Sequence, residues 1–157
     1  MSGGGAMSDG GVMSDGGAMS DGHDLERFVR AQDGTYDAAL AELGRGRKTG
    51  HWMWFVFPQV AGLGRSETAR RYAIASLAEA RAYLRHPVLG PRLVECARTV
   101  AASPAPTAQD LLGGIDAVKL RSSMTLFAAA APGEPAFTAV LDRYYGGSAD
   151  PETLARL

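Results

Sequence analysis

Apolar positions recur at helical spacing along most of the chain, so the elements they predict are helices. Asp24 is placed to cap a first helix carrying Leu25, Phe28 and Val29, which Asp33-Gly34 breaks. From Thr35, the residues Tyr36, Ala39, Leu40 and Leu43 make a second stripe, with Gly44 as its stop. Ser66 opens a helix bearing Ala69, Tyr72, Ala73 and Ile74. Ser76 and Glu79 have the spacing of a capping box and start another, through Ala80, Tyr83 and Leu84. His86-Pro87 closes it, because the residue before proline is pushed out of helical geometry, and the imidazole is placed to meet the last carbonyls. Pro91 suits a first helical position ahead of Leu93, Val94, Ala97 and Val100. After a loop from Ser103 to Pro106, Thr107 caps a short turn and Asp116 caps a helix through Phe127. Residues 135 to 145 form the next helix, stopped by Gly146-Gly147, and Asp150-Pro151 opens a last one.

One stretch breaks this pattern. The aromatic and β-branched residues of His51–Phe57 would suit a strand, but no second strand or tight turn offers it a partner. A lone strand leaves its backbone unpaired, so a short helix or an extended buried segment is expected. The reading is therefore all-α: a compact single-domain bundle of about six to eight short helices. Residues 1–22 stand apart as a repeat of about six residues, Met-Ser-Asp-Gly-Gly-Ala/Val, with Met1, Met7, Met13 and Met19 in register. Glycine loses much entropy on ordering, and isolated methionines bury too little to offset it. The expectation is a disordered Gly/Ser/Asp/Met tail over 1–22 and one helical domain over 23–157. The tail lacks the basic start and continuous apolar stretch of a secretory signal.

Charge narrows the function classes. The whole chain carries −1, while residues 23–157 hold all 16 basic residues and 14 of the 17 acidic ones. That near-neutral balance argues against a domain held on nucleic acid by many phosphate contacts. The single cysteine, Cys96, cannot form an internal disulfide, which points to a reducing, cytoplasmic setting. His23, His51 and His86 show no paired ligand spacing, so neither a metal nor any other cofactor is expected. No apolar stretch is long enough for a bilayer. Only Lys48 and Lys119 among the basic residues are lysines; with the many alanines, this is the bias a GC-rich bacterial genome imposes.

Two stretches could carry chemistry. In the first, Arg45 to Gln59, both tryptophans stand beside the densest basic run. Trp52 or Trp54 could stack on a base while Arg47, Lys48 or Arg65 holds phosphates. In a helix His51 shares a face with Trp54 and Phe55; in a strand it points opposite Trp52. The bland alternative is that Trp52, Met53, Trp54, Phe55 and Phe57 fill the core. Gly46-Arg47-Lys48-Thr49 is no P-loop: Arg47 stands where glycine is needed, and a helix precedes it instead of a strand. Gly62-Leu63-Gly64 reads as a flexible loop.

The second stretch places Asp116, Lys119, Leu120, Ser123 and Phe127 along one helix face, with Arg121 and Ser122 beside it. A helix this apolar around its circumference is expected to be buried, and a buried lysine needs a partner or a shifted pKa. The alternative is an Asp116–Lys119 surface pair of little energetic consequence. Cys96 with His51 or His86 could give thiol hydrolase chemistry, although its helical setting favours an inert buried thiol.

The series His51-Trp52-Met53-Trp54-Phe55-Val56-Phe57-Pro58-Gln59, Gly62-Leu63-Gly64, Tyr72-Ala73-Ile74, His86-Pro87-Val88-Leu89-Gly90 and Lys119 to Phe127 closely resembles a bacterial domain-of-unknown-function family, numbered 1810. Its members are sometimes labelled calpastatin, an inhibitor that is disordered and so unlike this periodic chain. The resemblance spans about residues 24–157 and implies a compact all-helical domain with no established activity. A fainter similarity, at the level of analogy, is to the NADAR families that process ADP-ribose derivatives.

The functional expectation is a small-molecule pocket for a nucleotide-like ligand of the NAD or ADP-ribose type, bound or hydrolysed. Its candidate residues are Lys48, His51, Trp52, Trp54, Gln59, Tyr72, Asp116, Lys119, Ser122 and Ser123. Asp116 or Glu67 would serve as general base if the site hydrolyses. The alternative is a non-catalytic protein-protein interaction module.

Overall fold

The computed structural model describes residues 23–157, and the expected tail over 1–22 lies outside them. Among the described residues there are ten helices and no strand: α1 (Glu26–Gln32), α2 (Tyr36–Arg45), α3 (Met53–Val56), α4 (Glu67–Arg71), α5 (Leu77–Arg85), α6 (Leu89–Ala101), α7 (Ala108–Leu112), α8 (Gly114–Ala130), α9 (Pro135–Tyr145) and α10 (Pro151–Leu154). The architecture is the expected all-α one, with more helices than six to eight because α3 and α10 are single turns of four residues.

Local caps explain several of the boundaries. Ser66, Ser76, Thr107 and Asp150 each accept a hydrogen bond from the backbone N–H three residues on, satisfying a donor that the first helical turn leaves orphaned. Gly146 ends α9 in the left-handed region.

Elsewhere the boundaries move. Gly44 lies inside α2, and Gly46, at φ 87°, is the residue that stops it, since an L side chain is strained there. Asp24 adopts a left-handed φ and caps nothing; Leu25 is the N-cap of α1. α4 ends at Arg71, so Tyr72 and Ile74 leave the helix. Ile74 instead forms an isolated parallel bridge with Val60, its N–H donating to Gln59 O at 2.8 Å. His86 Nδ1 accepts from the N–H groups of Val88 and Leu89, at the start of α6, instead of meeting the end of α5. Pro91 is the third residue of α6, not the first.

The long helix α8 is the hub, packing against α5, α7, α9 and α10. Its Leu120, Met124, Leu126 and Phe127 are fully buried, and Phe127 stacks at a tilt between Tyr83 and Phe137. The N-terminal turns of α8 leave that core: Ile115 and Val118 are 77% and 65% exposed. No helix among the described residues is long and apolar enough to cross a membrane.

Candidate functional site

The loop between α2 and α3 is built around a buried carboxylate. One oxygen of Glu42 accepts from the N–H groups of Thr49 and Gly50 and from Trp52 Nε1, at 2.7, 2.8 and 3.0 Å. Burial alone would raise its pKa, but these donors outweigh burial and bring it down to about 2. The same loop is stitched to α7 by Lys48 N–H donating to Leu111 O. Its geometry fixes Trp52 in the core, so of the two indoles only that of Trp54 is left partly accessible.

α8 begins at Gly114, three residues earlier than expected, so Asp116 lies in its first turn instead of capping it. Its carboxylate is therefore available to the lysines. Lys48 Nζ reaches one oxygen at 2.8 Å and Lys119 Nζ the other at 3.2 Å. Burial works to raise the pKa of Asp116; the hydrogen bonds from Lys48 and Lys119 prevail and hold it below the ordinary carboxylate value. Lys48 also donates to Gly50 O and faces the Trp52 ring at 5.1 Å. The Lys119 side chain, 20% exposed, puts its ammonium 4.0 Å from the centre of the Trp54 ring. The amine thus lies against an indole while also making the i, i+3 pair with Asp116.

The other side of the site is a small chamber of about 120 Å³, lined by Trp54, Gln59, Tyr72, Arg70 and the loop Ala61 to Gly64. Gln59 is 7% exposed and its side-chain nitrogen has no hydrogen-bond partner. The chamber wall is tight. A Cβ on Gly64 would stand 2.6 Å from Ala69 Cβ and 3.1 Å from Trp54 Cη2. Arg156, beyond α10, donates to Gly62 O at 3.2 Å and braces this loop.

The sequence-predicted residues therefore divide. Trp54, Gln59 and Tyr72 line the chamber. Lys48, Asp116 and Lys119 form a triad that meets it through the Trp54 ring. Trp52 is core. Ser122 donates to Asp150, which also accepts from Thr153, so this serine anchors α10 to α8. Ser123 is fully buried, its hydroxyl without a partner, and His51 is exposed and not in the chamber lining. Sequence reasoning missed Glu42, Arg70 and Arg156. The one available signal was the Gly62-Leu63-Gly64 pair, where close approach of a wall excludes a side chain.

The family model described as "Protein of unknown function (DUF1810)" matches residues 22–157. The chain belongs to the DUF1810 family. A solved structure, of the conserved hypothetical protein Rv1873 from Mycobacterium tuberculosis, is 52% identical, with a TM-score of 0.85 over 87% of this chain and 98% of that one. None of the curated proteins matches the chain. Neither the family match nor the structural one points to the NADAR families.

In this DUF1810 domain the remaining chemical candidates recede. Burial pushes the Cys96 thiol up to about 12, leaving no thiolate near neutral pH. Iodoacetamide at pH 8 is expected to leave the folded protein unlabelled and to label it fully in denaturant. Rapid labelling of the native state would contradict this. Among the described residues no three His, Cys, Asp or Glu are grouped to hold a metal ion.

Proposed function

We propose that this domain binds a small molecule, of which one flat group enters the chamber beside Trp54. The supporting observation is the chamber itself, walled by the Trp54 and Tyr72 rings beside a glycine loop, with the Gln59 side chain in its lining. The chamber volume is close to that of an engineered apolar cavity of about 150 Å³ that takes up benzene, so it admits a single ring and not a whole dinucleotide. In the nucleotide-like reading the base or ring sits inside, and phosphates lie outside near Arg65, Arg70 or Lys119. Asp116 and Glu67 do not line the chamber, so the reading is binding, not hydrolysis.

Thermal melts of the full chain with NAD, ADP-ribose, nucleosides and nicotinamide test this. A ligand at about 100 times its Kd is expected to add about 2.7 kcal/mol of stability, several degrees in Tm, and Gln59→Leu to lose that gain. No shift with any of them, or an equal shift in the variant, would overturn the proposal. One observation favours the second reading, a partner-binding module: the exposed Ile115 and Val118, one turn apart on α8.

A further inference from the structure

We infer that loop 61–64 is the lid of the chamber and that Arg156 is the residue that latches it. The inference deepens the binding reading, on which its purpose rests, by assigning how the chamber is entered. The lining divides by exposure. Gln59, Val60 and Ala69 are buried and form the floor, whereas Ala61, Gly62 and Arg70 are exposed and form the rim. Two of these rim residues belong to the loop. The loop also lies against the indole of the chamber wall, since a Cβ on Gly64 would stand 3.1 Å from Trp54 Cη2. Outward movement of the loop therefore uncovers Trp54.

The loop is held unevenly. Ahead of it the Ala61 N–H donates to Ile74 O at 2.9 Å, and beyond it Ser66 caps α4. Leu63 packs against the core. Among the described residues, the one hydrogen bond that reaches positions 62–65 from elsewhere in the chain comes from Arg156. Gly62, at φ 98°, leaves room that this arginine fills: a Cβ there would meet its Nε at 3.1 Å and its Cζ at 3.5 Å. The segment that carries Arg156 is firm at its base. Asp150 accepts from Ser122 and Thr153, Arg121 donates to the carbonyls of Ser148 and Ala149, and Thr153 is fully buried. Its tip is a surface contact. The Arg156 side chain is 37% exposed, and its carboxylate partner, the exposed Glu152, is 3.9 Å away. Exposed contacts of this kind add little to global stability, so the tip can release while the domain stays folded. The glycines at 62 and 64 let the backbone turn as it does.

The test is acrylamide quenching of tryptophan fluorescence in the full chain, which reads access to the indoles and needs no ligand. Arg156→Ala is expected to raise the quenching constant about twofold while Tm moves by no more than a few degrees. Arg156→Lys keeps a donor for Gly62 O and is expected to restore most of the wild-type value. Adding Trp54→Phe to Arg156→Ala should abolish the increase, because Trp52 is buried. Unchanged quenching in Arg156→Ala overturns the inference. So does an increase that survives Trp54→Phe, which would mean a loosened core, and so does a collapse in Tm, which would make Arg156 a structural residue of the fold. Raised Trp54 quenching together with no thermal shift from NAD, ADP-ribose, nucleosides or nicotinamide would remove the binding reading and leave the latch standing.

Discussion

Glu42→Ala is expected to lower Tm by roughly 10 °C, the largest loss that any single polar substitution in this domain should cause. The methyl group would leave the N–H groups of Thr49 and Gly50 and the Trp52 indole N–H without their shared acceptor. Each buried donor left unmade costs about 1–3 kcal/mol, and water entering the collapsed loop recovers only part of it, so about 3 kcal/mol is lost. Acid should act on the same contact. A carboxyl whose folded pKa lies below its unfolded one stabilises the fold above the unfolded value and loses that contribution as pH falls through the folded value. For Glu42 the window runs from 4.5 down to about 2, and the shift corresponds to about 3 kcal/mol across it. Asp116 and Asp150, both held below their usual values, add to the acid loss. Urea midpoints measured from pH 7 to pH 2 should therefore fall steeply for the wild type and less steeply for Glu42→Gln. Parallel curves for the two proteins would refute this account.

Gly90→Ala is expected to cost several kcal/mol although it adds one methyl group. A Cβ at that position would land on the carbonyl oxygen of Leu84, with the carbonyl carbon 2.9 Å away. The obstacle is backbone, so no rotamer change relieves it; α6 must shift away from α5, and overpacking of this kind costs about 1–3 kcal/mol or more. The control is Gly114→Ala, where a Cβ would meet nothing within 4 Å in the first turn of α8. There alanine should stabilise by a few tenths of a kcal/mol through helix propensity. Chemical denaturation of the two variants separates the cases, and equal midpoints would show that the α5–α6 approach is looser than it looks.

Four helix starts were legible because their signal is local: Ser66, Ser76, Thr107 and Asp150 each satisfy a donor three residues away. The stop at Gly44 and the helical reading of Ile74 misled for the opposite reason. Where α2 ends depends on where φ turns positive, and Ile74 is taken from α4 by a partner 14 residues earlier in the chain, Val60. The site was half legible. An apolar α8 carrying one lysine pointed to a buried amine, and the nearby basic and aromatic run supplied its partners. Which indole faces that amine was not readable, because the choice between Trp52 and Trp54 is made by Glu42, an ordinary-looking acidic residue of α2. His51 drew attention by its company in the sequence, whereas the turn before α3 sends it outward.

The brace from Arg156 to Gly62 joins positions 94 residues apart. During translation, at about 5–20 residues per second, the segment that forms the chamber emerges some 5 to 20 seconds before the arginine that steadies its wall. A nascent domain must spend that interval with an unbraced glycine loop, so a ribosome stalled between these positions would display the pocket in its loosest form.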